Sequence, residues 1–108
     1  MSNATKFEVC EEMKKLREYL TEHKIFWYDD STKSMEGTTL EHYWICRTKF
    51  YINGYFWSVI NGIGSYGGFT GFRMKNKGLL EVMSDAVGNG EPIGWLTAED
   101  VIKEIEKW

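Results

Sequence analysis

The middle of this chain has no acidic residue. The segment from Tyr43 to Leu80 contains neither Asp nor Glu, although the 108-residue sequence holds 16 of them. The same segment carries ten aromatic residues and five cations, and the cations are Arg47, Lys49, Arg73, Lys75 and Lys77. A net charge of −3 therefore conceals a basic, aromatic middle between acidic ends. Such an asymmetry is a hint about binding partners and directs attention to this segment.

Long apolar runs are also missing. No run approaches the roughly 20 residues that a membrane helix needs, and the first residues lack the apolar core of a signal peptide. The sequence therefore predicts a cytoplasmic protein with no membrane partner. A single proline and the absence of low-complexity stretches argue against disorder, and the length predicts a single domain.

Motifs for metal binding or catalysis are absent. The two cysteines, Cys10 and Cys46, and the two histidines, His23 and His42, have no CxxC or HExxH spacing, so a zinc site built from them would match no known finger. Cys46 and His42 would lie about 13 Å apart along one strand, too far to act as nucleophile and base. We therefore predict no metal, no cofactor and no enzymatic activity. An enzyme whose active site is not recognisable from the sequence stays open as a third functional class, beside the two binding functions given below.

Two further groups of residues favour ordinary structural roles. Gly62 to Gly67 matches GxGxxG, but the dinucleotide fingerprint needs a helix after it, and here a strand-like run follows. This pattern favours a turn, or a mobile recognition loop with Tyr66 at its tip. Four carboxylates fall in a polar loop and are expected to be solvated, and these are Asp29, Asp30, Glu36 and Glu41.

Hydrophobic periodicity predicts a helix at each end of the chain. The first covers about residues 6–23 and begins with a Thr5–Glu8 capping box. The last begins after Thr97 as N-cap, with two acidic residues in its first turn, where the helix dipole favours negative charge. Its apolar stripe consists of Leu96, Val101, Ile102, Ile105 and Trp108.

Between the helices, β-prone runs predict an antiparallel sheet. Residues 43–52 and 55–60 are joined by Asn53-Gly54, and Asn-Gly between two such runs is the strongest short-range signal for a hairpin. Residues 25–28, 69–75 and 79–83 are further β-prone runs. The predicted fold is α+β, with an N-terminal helix, a sheet of about four to five strands built from hairpins, and a C-terminal helix packed on one sheet face.

A two-residue turn fixes the register of the hairpin, so that Ile52 faces Tyr55 and Phe50 faces Trp57. Alternation then assigns two faces. The predicted core face comprises Trp44, Cys46, Thr48, Phe50, Ile52, Tyr55, Trp57 and Val59. The opposite face comprises Tyr43, Ile45, Arg47, Lys49, Tyr51, Phe56, Ser58 and Ile60.

The face opposite the core combines cations with aromatic rings, which makes it the candidate binding surface. The residues we assign to this surface are Arg47, Lys49, Tyr51, Phe56, Tyr66, Arg73 and Lys75. Exposed Tyr and Arg are enriched at interfaces, which favours a protein partner. The alternative is weak binding of single-stranded nucleic acid, in which rings stack on bases and cations follow phosphates. Purely structural explanations of these residues also remain open. The cations are then ordinary residues of an outer sheet face, Tyr51 and Phe56 are a cross-strand pair, or the second helix covers this face.

Several stretches resemble small uncharacterised proteins carried by prophages and mobile elements of Firmicutes-type bacteria. They are ICRT (45–48), WSVING (57–62), GSYGG (64–68), GLLEV (78–82) and EPIGWLTAEDV (91–101). The resemblance implies an intracellular accessory protein, and it supplies no catalytic residues to carry over. By analogy with phage accessory proteins of this size, it also implies a host or phage protein as partner.

Overall fold

A computed structural model describes residues 9–33, 44–62, 65–68, 77–87 and 91–108. Helix α1 runs from Glu11 to Glu22 and buries Met13, Leu16 and Leu20 on one side. Its predicted start near residue 6 is wrong, because the backbone of Cys10 is extended and this residue is the N-cap. The predicted capping box of Thr5 and Glu8 lies outside the described residues.

The predicted hairpin forms the centre of the sheet. Strand β3 (Trp44–Ile52) and strand β4 (Tyr55–Gly62) are antiparallel, and the pairs Ile52–Tyr55 and Phe50–Trp57 confirm the predicted register. Asn53 and Gly54 both have positive φ, as a two-residue turn of this type requires. Strand β5 (Leu80–Ser84) pairs with the other side of β4, which confirms a strand in this region.

The sheet edge beside β3 consists of two short strands, β1 (Trp27–Asp29) and β2 (Thr32–Lys33). Both pair antiparallel with β3, and their partners continue one register: Asp29 pairs with Thr48 and Thr32 with Ile45. They therefore act as one edge strand interrupted at residues 30–31. In this register Asp30 stands opposite Arg47. The sequence indicated β1 but not β2.

Among the described strands, β6 (Ile93–Leu96) forms the opposite edge, in a region where the sequence predicted a loop up to residue 93. It pairs with β5 through a bulge, because Gly94 and Trp95 together stand opposite Glu81. Trp95 has φ of 61°, a left-handed conformation that is unusual for a bulky side chain. Along the main path the strand order is β1-β3-β4-β5-β6.

Helix α2 (Ala98–Ile105) closes the fold, and the prediction of Thr97 as its N-cap is confirmed. The Thr97 hydroxyl accepts from Asp100 N at 3.2 Å, and the Asp100 carboxylate accepts from Thr97 N at 3.0 Å. Val101 and Ile105 are buried. One core cluster joins both helices to the sheet residues Cys46, Phe50, Trp57, Val59, Leu80 and Val82.

Both helices therefore lie on one side of the sheet, which we call the core face, and the other side is the outer face. This arrangement confirms the predicted α+β class and the packing of the C-terminal helix on one sheet face. Tyr55 departs from its predicted burial, since it lies at the hairpin tip with 39% of its surface exposed. The predicted strand at 69–75 lies outside the described residues. Among the described helices, none has the length and apolarity to cross a bilayer.

Candidate binding surface

The structure brings four of the seven predicted surface residues together on the outer face. Arg47, Lys49 and Tyr51 alternate along β3, and Phe56 pairs with Tyr51 across the hairpin. The Tyr51 and Phe56 rings are 5.3 Å apart, and the Lys49 ammonium lies 5.8 Å from the centre of the Phe56 ring. Tyr51 is 58% exposed and Phe56 37% exposed, so helix α2 does not cover this face. Arg73 and Lys75 lie outside the described residues.

The edge strand adds two residues to this face that sequence reasoning missed. Tyr28 pairs with Lys49, and Asp30 follows two positions later on the same side. The alternation of Phe26, Tyr28 and Asp30 with Trp27 and Asp29 was a signal for this placement. We call the resulting set the outer-face cluster. It comprises Tyr28, Asp30, Arg47, Lys49, Tyr51 and Phe56.

Asp30 binds both described cations of the outer-face cluster. Its Oδ2 lies 2.7 Å from Lys49 Nζ and 3.5 Å from Arg47 Nη1. The hydrogen bond from Lys49 holds the pKa of the Asp30 carboxyl below its usual value, and the charge of Arg47 acts in the same direction. The expectation that Asp30 is merely solvated is therefore wrong. This one carboxylate neutralises half of the positive charge of Arg47 and Lys49, two of the four cations that the sequence placed on this surface.

Asp29 points to the core face and binds a different cation. Arg17 of α1 lies 3.4 Å from Asp29 Oδ1 and donates from Nε to Thr48 Oγ1 at 2.7 Å. Its guanidinium lies 4.8 Å from the centre of the Trp27 ring. Burial works to raise the pKa of Asp29, but hydrogen bonds from Ser31 and the charge of Arg17 lower it overall. This group of contacts fixes α1 to β1 and β3, so its role is structural.

Tyr66 belongs to a different part of the molecule. Its backbone N–H donates to Glu81 Oε1 at 2.7 Å, and its carbonyl accepts from Trp95 N at 3.2 Å. Gly94 leaves room for the Tyr66 side chain, since a Cβ there would overlap it. The ring is 54% exposed over β5 and β6. No described contact joins Tyr66 to the outer-face cluster, so the two do not form one continuous group.

The glycine-rich turn uses its own polar groups. Ser65 Oγ accepts from Gly62 N at 3.0 Å and donates to Gly62 O at 2.9 Å. The N–H groups of Gly62 and Tyr66 thus bond within the protein and are not directed at a phosphate. This arrangement favours the structural interpretation of the GxGxxG match.

The described cysteines and histidine form no catalytic arrangement. Cys46 is fully buried, and burial raises the pKa of its thiol and of the Cys10 thiol. His23 stacks on Tyr19 with ring centres 3.9 Å apart, and its Nδ1 lies 2.9 Å from Tyr19 O. Among the described residues, no three metal-ligating side chains cluster. His42 lies outside them.

Comparison with known proteins gives no relative. No family model matches the chain, and neither curated protein sequences nor solved structures yield a match.

Proposed function

We propose that this chain is a non-enzymatic protein-binding module that contacts its partner through the outer-face cluster. One observation carries the proposal: the helices occupy the core face, and the outer face is left with exposed aromatic rings beside cations already held by Asp30. Aromatic residues and Arg are enriched in protein interfaces, whereas unpaired charge is depleted from their centres.

The charges of the cluster specify the chemistry of the partner. Arg47 and Lys49 carry two positive charges and Asp30 one negative charge, so the described cluster retains one surplus positive charge. A complementary protein surface would present an apolar patch with a carboxylate at its rim. The resemblance to prophage proteins suggests a host or phage protein in the cytoplasm as this partner.

The test is capture of a partner from lysate of a Firmicutes-type host by the tagged chain and by two variants. Lys49→Glu reverses a charge in the cluster and Phe56→Ser removes a ring, so each is expected to reduce capture of the same protein by about tenfold or more. The control is Lys14→Glu, the same charge change on an exposed position of α1. Equal capture by all four proteins would refute the proposal.

Single-stranded nucleic acid stays the alternative partner of this face. The Asp30 ion pairs weaken that alternative, because phosphate contacts depend on available cations. Labelled single-stranded RNA and DNA are titrated at about 50 and about 200 mM salt, where phosphate contacts weaken steeply. Binding that is salt-sensitive and lost in the Arg47→Glu/Lys49→Glu double variant would replace the protein-binding proposal.

A further inference from the structure

A groove opens where the pairing of β1 with β3 ends. The last pair is Trp27 with Phe50, so the chain before Trp27 separates from the final residues of β3. Lys24, with φ of 60°, turns the chain as α1 ends. The resulting space has a volume of about 480 Å³, which is within the range of ligand sites in proteins. It lies beside the outer-face cluster and shares only Tyr51 with it.

Aromatic side chains from four parts of the chain line this space, which we call the aromatic groove. They are Tyr19, Phe26, Tyr51 and Trp108. Phe26 is 80% exposed and Trp108 45% exposed, so two large apolar surfaces face solvent on the groove walls. Ile25, which lies between α1 and β1, Ile52 of β3 and Ile105 of α2 add apolar surface to the lining. Exposed rings grouped around one groove are a typical feature of binding sites and not of an ordinary surface.

Three of the polar side chains that line the groove have donors that are not used within the described residues. The Tyr51 hydroxyl, the Trp108 indole N–H and the Lys24 ammonium make no hydrogen bond or ion pair with any other described residue. The lining also holds acceptors, namely the Glu106 carboxylate, which accepts from the Tyr19 hydroxyl at 3.5 Å, and the amide oxygen of Asn53, whose Nδ2 donates to Trp108 O. A matching ligand therefore supplies acceptors along its length, with apolar surface between them and one positive charge.

We propose that the aromatic groove binds a proline-rich peptide segment that carries an Arg or Lys at one end. Each proline supplies a carbonyl acceptor but no N–H, so its backbone suits the three unused donors of the groove. Polyproline II helices lack internal hydrogen bonds, are stiff before binding, and dock in aromatic-lined grooves. The basic end residue pairs with Glu106.

This inference rests on the proposed function only in taking the partner to be a polypeptide. The probe is a fluorescein-labelled peptide of about ten residues, made of prolines with one arginine at an end. Anisotropy titration of the full chain should give a Kd below about 1 mM, and the same peptide with prolines replaced by glycine and serine should bind at least about tenfold more weakly.

Variants locate the binding site. Phe26→Ser and Trp108→Ala should each weaken peptide binding by about tenfold or more, because each removes a ring from the groove wall. Met83→Ser, an exposed position on β5 away from the groove, should leave the Kd unchanged. Phe26 is so exposed that its replacement leaves the core intact, so it carries the test even if Trp108→Ala is unstable.

The charged end gives an independent measurement. Glu106→Gln should remove the preference for the arginine-bearing peptide over one with a glutamate at the same end. The inference is overturned by absence of binding at millimolar peptide, by equal binding of the glycine-serine peptide, or by binding that Phe26→Ser leaves unchanged. Partner capture that depends on Lys49 and Phe56 would still support the proposed function in each of these cases.

Discussion

At the scale of single residues, Asp30 determines the electrostatic character of the outer face. The acid-free segment of the sequence contains the cations of this face, but their counter-charge comes from outside it, from the edge strand. Pairing with Lys49 and Arg47 depends on the register of β1 and β2, in which Asp30 stands opposite Arg47. Composition alone could not reveal this, because it counts charges without stating which ones meet.

Because Asp30 is paired in the folded protein, the free energy of unfolding should vary with pH in the acidic range. Its pKa is lower in the folded protein than in the unfolded chain, where Asp titrates near about 3.9, so the ionised carboxylate stabilises the fold above that pH. This contribution is lost as the pH falls through the lower, folded-state pKa. We expect Asp30→Asn to lower the urea midpoint at about pH 7, and the difference from the parent protein to shrink by about pH 3.

The control for this titration is Asp85→Asn. Asp85 is exposed in the turn after β5 and makes no ion pair with the described residues. Its substitution should change the midpoint little at neutral pH. A difference between Asp30→Asn and the parent that is the same at both pH values would show that the ion pairs contribute nothing to stability.

At the scale of elements, those with strong local signals were predictable from the sequence. Asn53-Gly54 fixed the hairpin register, and Thr97 followed by two acidic residues marked the start of α2. Strand β6 was missed because it is short and contains a glycine and a left-handed Trp95, which disrupt the alternation that identifies strands. The start of α1 was misplaced because its apolar periodicity continues through Cys10, whose backbone is extended.

The end of α1 has an unusual residue in a common motif. Ile25 N donates to Leu20 O at 2.8 Å and Lys24 N to Thr21 O at 3.1 Å, which is the Schellman arrangement, with Lys24 where glycine is usual. The left-handed conformation costs a residue with a side chain about 1–2 kcal/mol. Glycine avoids this cost but loses more chain entropy on folding, which offsets part of the gain from the substitution. We expect Lys24→Gly to raise the free energy of unfolding by about 0.5–1 kcal/mol in urea denaturation.

Lys24→Ala separates the backbone effect from the loss of the side chain. Alanine keeps the Cβ that disfavours positive φ, so it should give no comparable gain. If Lys24→Ala and Lys24→Gly stabilise the protein equally, the gain comes from removal of the ammonium group and not from the backbone.

At the scale of the whole molecule, two polar contacts fix the helices to the rest of the fold. Arg17 joins α1 to β1 and β3, and Glu12 of α1 accepts from Ala98 N at 2.7 Å at the start of α2. Hydrophobic burial drives the layers together but is not directional. These contacts define how α1 lies on the sheet and how α2 lies beside it.

Replacement of Arg17 should therefore be costly. Its side chain is 13% exposed, and Arg17→Met leaves Thr48 without its donor and Asp29 without its cation. We expect the free energy of unfolding to fall by about 1–3 kcal/mol in urea denaturation. Lys14→Met on the exposed side of the same helix should change it by about 0.5 kcal/mol or less. Similar losses in both variants would contradict a specific role for Arg17.

The candidate site was predictable only in part. Its position on the outer face followed from the hairpin register, because alternation assigned Arg47, Lys49, Tyr51 and Phe56 to one side. The separation of Tyr66 from that cluster was not predictable, since it depends on how residues 65–68 fold against β5 and β6. The aromatic groove was equally hidden, because its walls come from residues far apart in the chain.

The bulge at Gly94 and Trp95 has a consequence for self-association. Strand β6 ends the described strand order, and a regular strand in that place would offer its unpaired edge to strands of other copies of the chain. Because two residues of β6 stand opposite one residue of β5, the hydrogen-bond ladder between these strands is interrupted. The left-handed backbone of Trp95 adds a local irregularity at the same place. The conformational cost of Trp95, about 1–2 kcal/mol, thus coincides with a geometry that disfavours edge-to-edge aggregation.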